Sequence, residues 1–343
     1  MKVLAGLLLL LLPVADPAPS DVLLVLDGSS TILLFDPKSG AALGSARVGK
    51  GPHEVEMLAD GDTAAVSNYG ESGEAGRTLT LIDLNRRAAG ATIDLGKGTR
   101  PHGLQALPNG HVLVVAQGTK EVLVVDPRLK WVVARIPTGL IDSRLVAATP
   151  DGARAFVTSE RSGSGLITVI DLKPPRIVRD IVIGAAAEGM DVTPDGREVW
   201  ITNSDLDSVW VLEARDLGIV SRISTPRFPT DVKVTPDGKY ALVACTESGD
   251  VAVVDVATRR EVKRISIARE ALMRTRAQTA RGGVQELPEP FSLLVEPDGS
   301  HAWVASANTS VVCHLDLRTL TVSGSLTAGR DPGALAGRFA ARR

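Results

Sequence analysis

Four ionisable side chains occupy the same position in successive copies of a repeated sequence unit. Each lies eight residues before the glycine of a Pro-Asp-Gly-like turn, and they are His53, His102, Arg144 and Glu188. Arginine presents a planar fork of donors that suits a carboxylate, and histidine can donate or accept a proton near neutral pH. If the repeat places these side chains around one opening, they predict a site for a small anionic molecule. We expect Glu188 to pair with Arg144 when no ligand is bound.

The same position in the other units is small or apolar. It is occupied by Thr230, by Phe291 and, in the C-terminal segment, by Gly333. Glu54 and Asp231 lie one residue further along and are secondary candidates for the site. Convergent polar groups in a concave site favour a ligand. The alternative is that these residues only line a solvated channel and bind trapped water.

The unit is identified by two markers that advance together. The first is an acid at the end of an alternating apolar hexapeptide: Asp36, Asp83, Asp126, Asp171, Glu213, Asp255 and Asp316. The second is the turn glycine: Gly61, Gly110, Gly152, Gly196, Gly238 and Gly299. Both advance by 42–49 residues, apart from one step of 61. Short β-branched strands at this period predict an all-β, seven-bladed β-propeller with four-stranded blades. The acids are predicted to cap the following turns.

The ends of the chain are predicted to share one blade. The chain has seven acidic strand ends but only six Pro-Asp-Gly-like turns, because the unit at 21–52 lacks an innermost strand. Residues 331–338 supply a candidate, which would close the ring and remove an open sheet edge. We therefore predict a single propeller domain over residues 21–338. The 61-residue step contains residues 268–289, which are rich in helix formers and arginine. They are interpreted as an inserted loop or short helix between blades six and seven. This insertion is either a solvated, partly ordered loop or a functional element on the same face as the site, which would act as a lid or a partner contact.

Composition and targeting signals exclude several classes of protein. The 343 residues include 38 basic and 40 acidic side chains and 3% aromatics, which argues against nucleic-acid binding. Residues 1–18 combine Met1-Lys2 with an apolar run at 3–12 and predict a cleaved signal peptide, too short to span a bilayer. We therefore expect a secreted or periplasmic protein that does not span a membrane.

The remaining reactive side chains give weaker signals. Cys245 and Cys313 fall in different units and are interpreted as buried free thiols, since a disulfide requires close approach of the two backbones. His111, His301 and His314 are interpreted as isolated structural histidines.

One motif resembles a known family. Residues 200–203 read WITN after TPDG at 193–196, and residues 156–159 read FVTS. These units resemble the YVTN family of bacterial β-propellers over residues 21–338. Relatives include surface-layer-type proteins, lactonase-type propellers and the haem-binding propeller of cytochrome nitrite reductases. The resemblance implies the fold more specifically than the function. Relatives often carry a third histidine where Arg144 stands, so metal binding by His53 and His102 is a weaker alternative, and no cofactor is favoured.

Two classes of function remain open at this point. The leading hypothesis is an extracytoplasmic binding or scaffold protein with a site for a small anionic molecule or a protein partner at the channel mouth. The alternative is an enzyme: a lactonase-type hydrolase using a histidine and Glu188 for acid–base chemistry, or a haem- or metal-dependent oxidoreductase using His53 and His102. No catalytic residue is assigned from the sequence.

Overall fold

The predicted seven-bladed β-propeller is confirmed. The structure, a computed structural model, describes residues 20–161, 164–184, 187–267 and 288–340. Within these ranges, 28 strands form seven four-stranded antiparallel sheets. The predicted signal peptide at 1–18 lies outside the described residues, as does almost all of the predicted insertion at 268–289. No helix in the described part of the chain is long and apolar enough to cross a membrane.

The first four blades follow the chain from the N-terminus, and their strands are given from the channel outward. Blade one contains β28 (Leu335–Arg338), β1 (Val22–Asp27), β2 (Thr31–Phe35) and β3 (Ala42–Arg47). Blade two contains β4 (Pro52–Met57), β5 (Thr63–Glu71), β6 (Glu74–Asp83) and β7 (Ala88–Asp94). Blade three contains β8 (Pro101–Ala106), β9 (Val112–Ala116), β10 (Glu121–Asp126) and β11 (Trp131–Pro137). Blade four contains β12 (Val146–Ala148), β13 (Arg154–Arg161), β14 (Ser164–Leu172) and β15 (Pro175–Gly184).

The remaining three blades have the same order. Blade five contains β16 (Ala187–Val192), β17 (Glu198–Asn203), β18 (Ser208–Glu213) and β19 (Ile219–Ser224). Blade six contains β20 (Pro229–Val234), β21 (Tyr240–Cys245), β22 (Asp250–Asp255) and β23 (Arg260–Ser266). Blade seven contains β24 (Glu289–Val295), β25 (His301–Ala307), β26 (Val311–Asp316) and β27 (Thr321–Thr327). Short 3₁₀ turns link the second and third strands of blades three, five and six: Gln117–Thr119, Ser204–Leu206 and Thr246–Ser248.

The two ends of the chain close the ring, as predicted. Strand β28 pairs antiparallel with β1, with Leu335 opposite Val25 and Ala336 opposite Leu24. The innermost strand of every blade contacts those of both neighbouring blades, including β28 with β4 and with β24. The last strand of the chain therefore completes the first blade and leaves no open innermost edge.

The hydrophobic core lies between the blades. Seven clusters of buried residues each join two neighbouring blades around the ring. Phe156 fills the gap between blades four and five, and Trp200 the gap between five and six. Middle strands contact a neighbour on both faces, which explains why they read as uninterrupted apolar runs. Cys245 and Cys313 are buried free thiols in separate clusters, as predicted.

The repeated acids cap turns in six of the seven blades. In blade one, Asp36 Oδ1 accepts the N–H groups of Lys38 and Ser39 at 2.8 and 3.0 Å. Blade four differs from the prediction, because Asp171 instead pairs with Arg154 and Arg176. The residue three positions after Asp171 is a proline, which has no N–H to donate.

Candidate functional site

The ring of residues predicted from the turn spacing surrounds one cavity in the central channel. His53, His102, Arg144 and Glu188 all line a cavity of about 330 Å³, and Thr230 and Phe291 complete its wall. We call this region the channel mouth. The structure therefore brings the four predicted residues together, and their role in binding a ligand stays a prediction.

A repeated irregularity at the start of the innermost strands turns these side chains toward the channel. In five blades the pairing between the innermost and second strands shifts register near its start. Such a bulge leaves a backbone N–H without its ladder partner. Hydroxyls of the second strand accept this N–H in two of these blades: Ser67 from Glu54 (3.0 Å) and Thr202 from Gly189 (2.6 Å). In blade four, where no such shift occurs, Thr158 likewise accepts the N–H of Leu145 (2.9 Å). The threonine of the WITN motif thus has a structural role that positions the site.

Arg144 is held by carboxylates from two elements. Its Nη1 lies 2.7 Å from both oxygens of Glu188 in the next blade, and its Nη2 lies 2.9 Å from Asp142. Burial opposes the charge on the guanidinium, but the bonds to Asp142 and Glu188 outweigh it and raise the pKa of Arg144. The pairing of Arg144 with Glu188 that the sequence predicts is therefore present.

The Arg144 cluster extends across neighbouring blades. Gln117 donates from Nε2 to Asp142 Oδ1 at 2.5 Å, and its Oε1 accepts a hydrogen bond from the Tyr69 hydroxyl. The chain of contacts runs from Tyr69 through Gln117 and Asp142 to Arg144 and Glu188. This network holds the guanidinium in place without a ligand, so a ligand carboxylate that binds Arg144 would compete with its carboxylate partners.

The rings of the two histidines lie against each other beside the arginine. The ring centroids of His53 and His102 are 3.7 Å apart, and Tyr69 meets His102 edge-on at 5.6 Å. His102 is only 8% exposed. Burial, with smaller effects from His53 and Arg144, lowers the pKa of His102 to about 2. Among the described residues, the buried Nδ1 atoms of both rings lack a hydrogen-bond partner. The pair therefore offers a ligand ring faces and ring nitrogens.

A second tier of charged residues lies deeper in the channel. Glu54 and Asp231, the predicted secondary residues, line the same cavity, together with three that the sequence analysis missed: Glu56, Asp191 and Lys233. The three missed residues lie five positions before their turn glycines. Comparing the position five residues before each turn glycine across the repeats would have identified them.

Several of these carboxylates join neighbouring blades. Glu56 accepts the Ala106 N–H at 2.9 Å, Asp191 accepts the Val234 N–H at 2.7 Å, and Asp231 accepts the Leu293 N–H at 2.9 Å. In each case an acid on one innermost strand binds the backbone of the next blade. These acids have a structural role whether or not the channel binds a ligand.

The electrostatics of the deeper tier are dominated by acids around one lysine. Burial raises the pKa of Glu56 to about 7 and that of Asp231 to about 6. Asp231 above all, with Asp191, Glu54 and Glu56, raises the pKa of Lys233. Five carboxyl groups and two cationic groups line the cavity. Its interior therefore favours a positive or hydrogen-bond-donating group, whereas its rim offers Arg144.

Two of the other histidines are not isolated, contrary to the sequence analysis. The rings of His301 and His314 stack with their centroids 4.7 Å apart, and Glu296 lies beside them. His111 lies beside Asn109 and Asp126 of its own blade. The prediction was wrong because the thirteen-residue spacing of His301 and His314 conceals their proximity on adjacent strands.

The fold and the ring of channel residues define a seven-bladed β-propeller with a polar channel mouth. Residues 110–275 match the sequence model of the family described as YNCE-like beta-propeller. The match covers just under half of the chain, and the predicted resemblance to YVTN-type propellers is confirmed. No curated protein matches the chain.

Several solved structures share the fold. A functionally unknown protein from Desulfotomaculum acetoxidans aligns with a TM-score of 0.74 at 14% identity, over 93% of this chain and 99% of that one. Kuenenia stuttgartiensis hydrazine synthase aligns with a TM-score of 0.65 at 18% identity, over 88% and 90%. Dihydro-haem d1 dehydrogenase NirN, in complex with DHE, aligns with a TM-score of 0.63 at 16% identity, over 92% of this chain and 65% of that one. At these identities the likeness concerns the fold alone.

Proposed function

We propose that this chain is an extracytoplasmic β-propeller that binds a small ligand at the channel mouth. The observation that carries the proposal is the position of the Arg144 guanidinium. It lies at the rim of a cavity of about 330 Å³, next to the closely spaced His53 and His102 rings. Such a cavity is at the lower end of the size range of small-molecule sites.

The charges around the cavity restrict which charged groups a ligand can carry. An anionic group at Arg144 would compete with Glu188 and Asp142, because both already bind the guanidinium. The deeper carboxylates Glu54 and Asp231 favour a positive group instead. A small amino-carboxylate satisfies both ends: its carboxylate replaces Glu188 at Arg144, and its ammonium group points into the channel.

The haem and metal alternatives receive less support from the site. The described cavity is small for a tetrapyrrole, and the likeness to NirN shows the fold alone. In the described part of the chain, no third side chain completes a three-ligand metal set with His53 and His102. Arg144 also places a fixed cation beside this pair, which opposes a metal cation electrostatically.

A hydrolase is the second candidate, because of one observation. Glu56 and Asp231 have pKa values raised to about 7 and about 6 at the wall of the cavity, and carboxyl groups in this range can act as general acids or bases. Their hydrogen bonds to neighbouring blades also give both residues a structural role that does not involve catalysis. A lactone-hydrolysis assay of the purified protein and of the Glu56→Gln variant separates these two roles.

The location outside the cytoplasm rests on the signal-peptide pattern of residues 1–18. Fractionation of cells that express the full chain, with a variant lacking residues 2–18 as the control, tests it. We expect the full chain in the extracytoplasmic fraction, shortened at its N-terminus by mass spectrometry. A full-length chain retained in the cytoplasm would contradict this part of the proposal.

A thermal-shift screen tests the ligand site. The probes are small carboxylates and amino-carboxylates of matched length, such as butyrate and γ-aminobutyrate. We expect an amino-carboxylate to stabilise the wild type more than its matched carboxylate, and to stabilise Arg144→Gln much less. Arg264→Gln is the matched control, because Arg264 forms an ion pair with Glu261 on an outermost strand. Equal stabilisation of all three proteins would remove Arg144 from the site.

A further inference from the structure

A second cluster of ligand atoms lies in blade seven, outside the channel mouth. Glu296 follows β24, His301 begins β25, and His314 lies on β26. One side-chain ligand atom of each of the three residues lies within 4.8 Å of those of the other two. Strand β24 runs from the channel mouth toward Glu296, so this cluster is at the opposite end of the strand. We call it the blade-seven cluster.

A serine hydroxyl lies beside Nδ1 of each histidine ring. Ser300 Oγ lies 2.7 Å from His301 Nδ1 and donates to Asp298 at 2.7 Å. Ser323 Oγ lies 3.1 Å from His314 Nδ1 and 3.1 Å from the backbone carbonyl oxygen of His314. In the tautomer in which Nδ1 donates to the serine, Nε2 carries the lone pair that can bind a metal ion.

Glu296 brings a negative charge to the same point. Its side chain is buried, and one carboxylate oxygen lies 3.6 Å from Nε2 of His314. The same oxygen accepts the Trp303 indole N–H at 3.0 Å. Among the described residues, the buried Nε2 of His314 has no hydrogen-bond partner. A buried carboxylate beside a ring nitrogen is stabilised by a positive charge between them, which a proton on the ring or a bound metal ion supplies.

We propose that the blade-seven cluster binds a divalent transition-metal ion of the Zn²⁺ class. Imidazole nitrogens with one carboxylate are a ligand set that such ions use, with water in the fourth position. Ligand atoms around tetrahedral zinc lie roughly 3.3 Å apart, so the pair of Glu296 and His314 is already close to that spacing. The serines orient the rings from behind, as the outer partners of metal-binding histidines do.

The test uses the full chain, freed of metal with a chelator and then titrated with Zn²⁺ by calorimetry and with Co²⁺ by visible absorption. We expect one equivalent of metal to bind the wild type and the His53→Ala/His102→Ala double variant equally. His314→Ala and His301→Ala should lose the cobalt bands and most of the zinc affinity. The proposal is overturned if the wild type binds neither ion, or if only the channel variant loses binding.

Two further variants guard against loss of folding. Glu296→Gln keeps an acceptor for the Trp303 indole but removes the charge, and it should weaken zinc binding more than it lowers thermal stability. Ser323→Ala leaves all three ligands in place and should weaken zinc binding by roughly 10–100-fold. A Ser323→Ala variant that binds zinc as the wild type does would contradict the proposed orientation of His314. A metal-free variant that melts like the metal-free wild type shows that the change lies in the site and not in the fold.

Discussion

The guanidinium of Arg144 in blade four and the carboxylate of Glu188 in blade five face each other across the channel mouth, with Nη1 2.7 Å from both carboxylate oxygens. The two residues have the same position in successive repeats, so the ring of blades itself brings them together. Glu188 occupies the place at Arg144 that a ligand carboxylate would take. The site is thus assembled in advance, with a competitor from the chain already bound.

Removing this competitor should strengthen binding. In Glu188→Gln the partner of Arg144 is neutral, so we expect a small carboxylate to bind more tightly than to the wild type. The pair is partly exposed, so its loss should lower the free energy of unfolding by less than about 1 kcal/mol. Calorimetric titration and urea unfolding measure the two effects. Weaker binding to Glu188→Gln would show that Glu188 contacts the ligand instead of competing with it.

The close approach of blades three and four depends on Gly103. A Cβ atom there would lie 2.5 Å from the backbone oxygen of Arg144, and the glycine N–H donates to that oxygen at 2.8 Å. We expect Gly103→Ala to destabilise the fold by about 1–3 kcal/mol, because backbone must move to admit the methyl group. Gly218→Ala is the control, since no atom lies within 4 Å of the added carbon. Equal unfolding midpoints for the two variants in urea would contradict this account of the interface.

Closure of the ring by the C-terminal strand can be tested at Leu335. Its side chain is 7% exposed and packs against residues of blade seven, including Trp303. Leu335→Ala should cost about 2–5 kcal/mol, as expected for a buried leucine. Deletion of residues 331–343 should lower the melting temperature further, whereas deletion of residues 341–343 should have little effect. An unchanged midpoint for the larger deletion would contradict closure by β28.

The channel carboxylates should make stability depend on pH. Burial raises the pKa of Glu56 to about 7 from 4.5, so the folded chain holds a proton that the unfolded chain has lost between these values. The contribution of Glu56 to stability is therefore greatest below about pH 4.5 and is lost as the pH rises toward 7. The Glu56→Gln variant keeps an oxygen that can accept the Ala106 N–H. Because its side chain does not ionise, the variant should not show this loss of stability as the pH rises.

Urea unfolding at pH 5 and pH 8 measures this effect. Relative to the wild type, Glu56→Gln should lose less stability between the two pH values. Glu261→Gln, on an outermost strand, should keep the slope of the wild type. A slope unchanged in Glu56→Gln would show that Glu56 is ionised across the whole range.

The repeat made the fold and the rim of the site predictable. The spacing of the turn glycines gives the register of each innermost strand, and the same register aligns His53, His102, Arg144 and Glu188. Closure by residues 331–338 followed from the mismatch of seven acids and six turns. These features follow from the period of the repeat, which can be read from a single sequence.

The residues that the register could not reveal depend on contacts between strands. Asp142 binds Arg144 and Gln117 binds Asp142, both from connections between strands that the repeat does not align. His301 and His314 meet because β25 and β26 pair Trp303 with His314, two residues from His301. Such register follows from the bulges and turns of the folded blade, so spacing in the sequence did not reveal it.

Calorimetric titration with the strongest amino-carboxylate from the screen tests the central claim most directly. The proteins are the wild type, Arg144→Gln and the control Arg264→Gln. We predict that the wild type binds the ligand at one site. The affinity should be at least about tenfold weaker in Arg144→Gln, because a charge-assisted pair of hydrogen bonds is lost, and unchanged in Arg264→Gln. Equal affinity for all three proteins, or no binding to the wild type by any member of the panel, would contradict the assignment of the channel mouth as a small-ligand site.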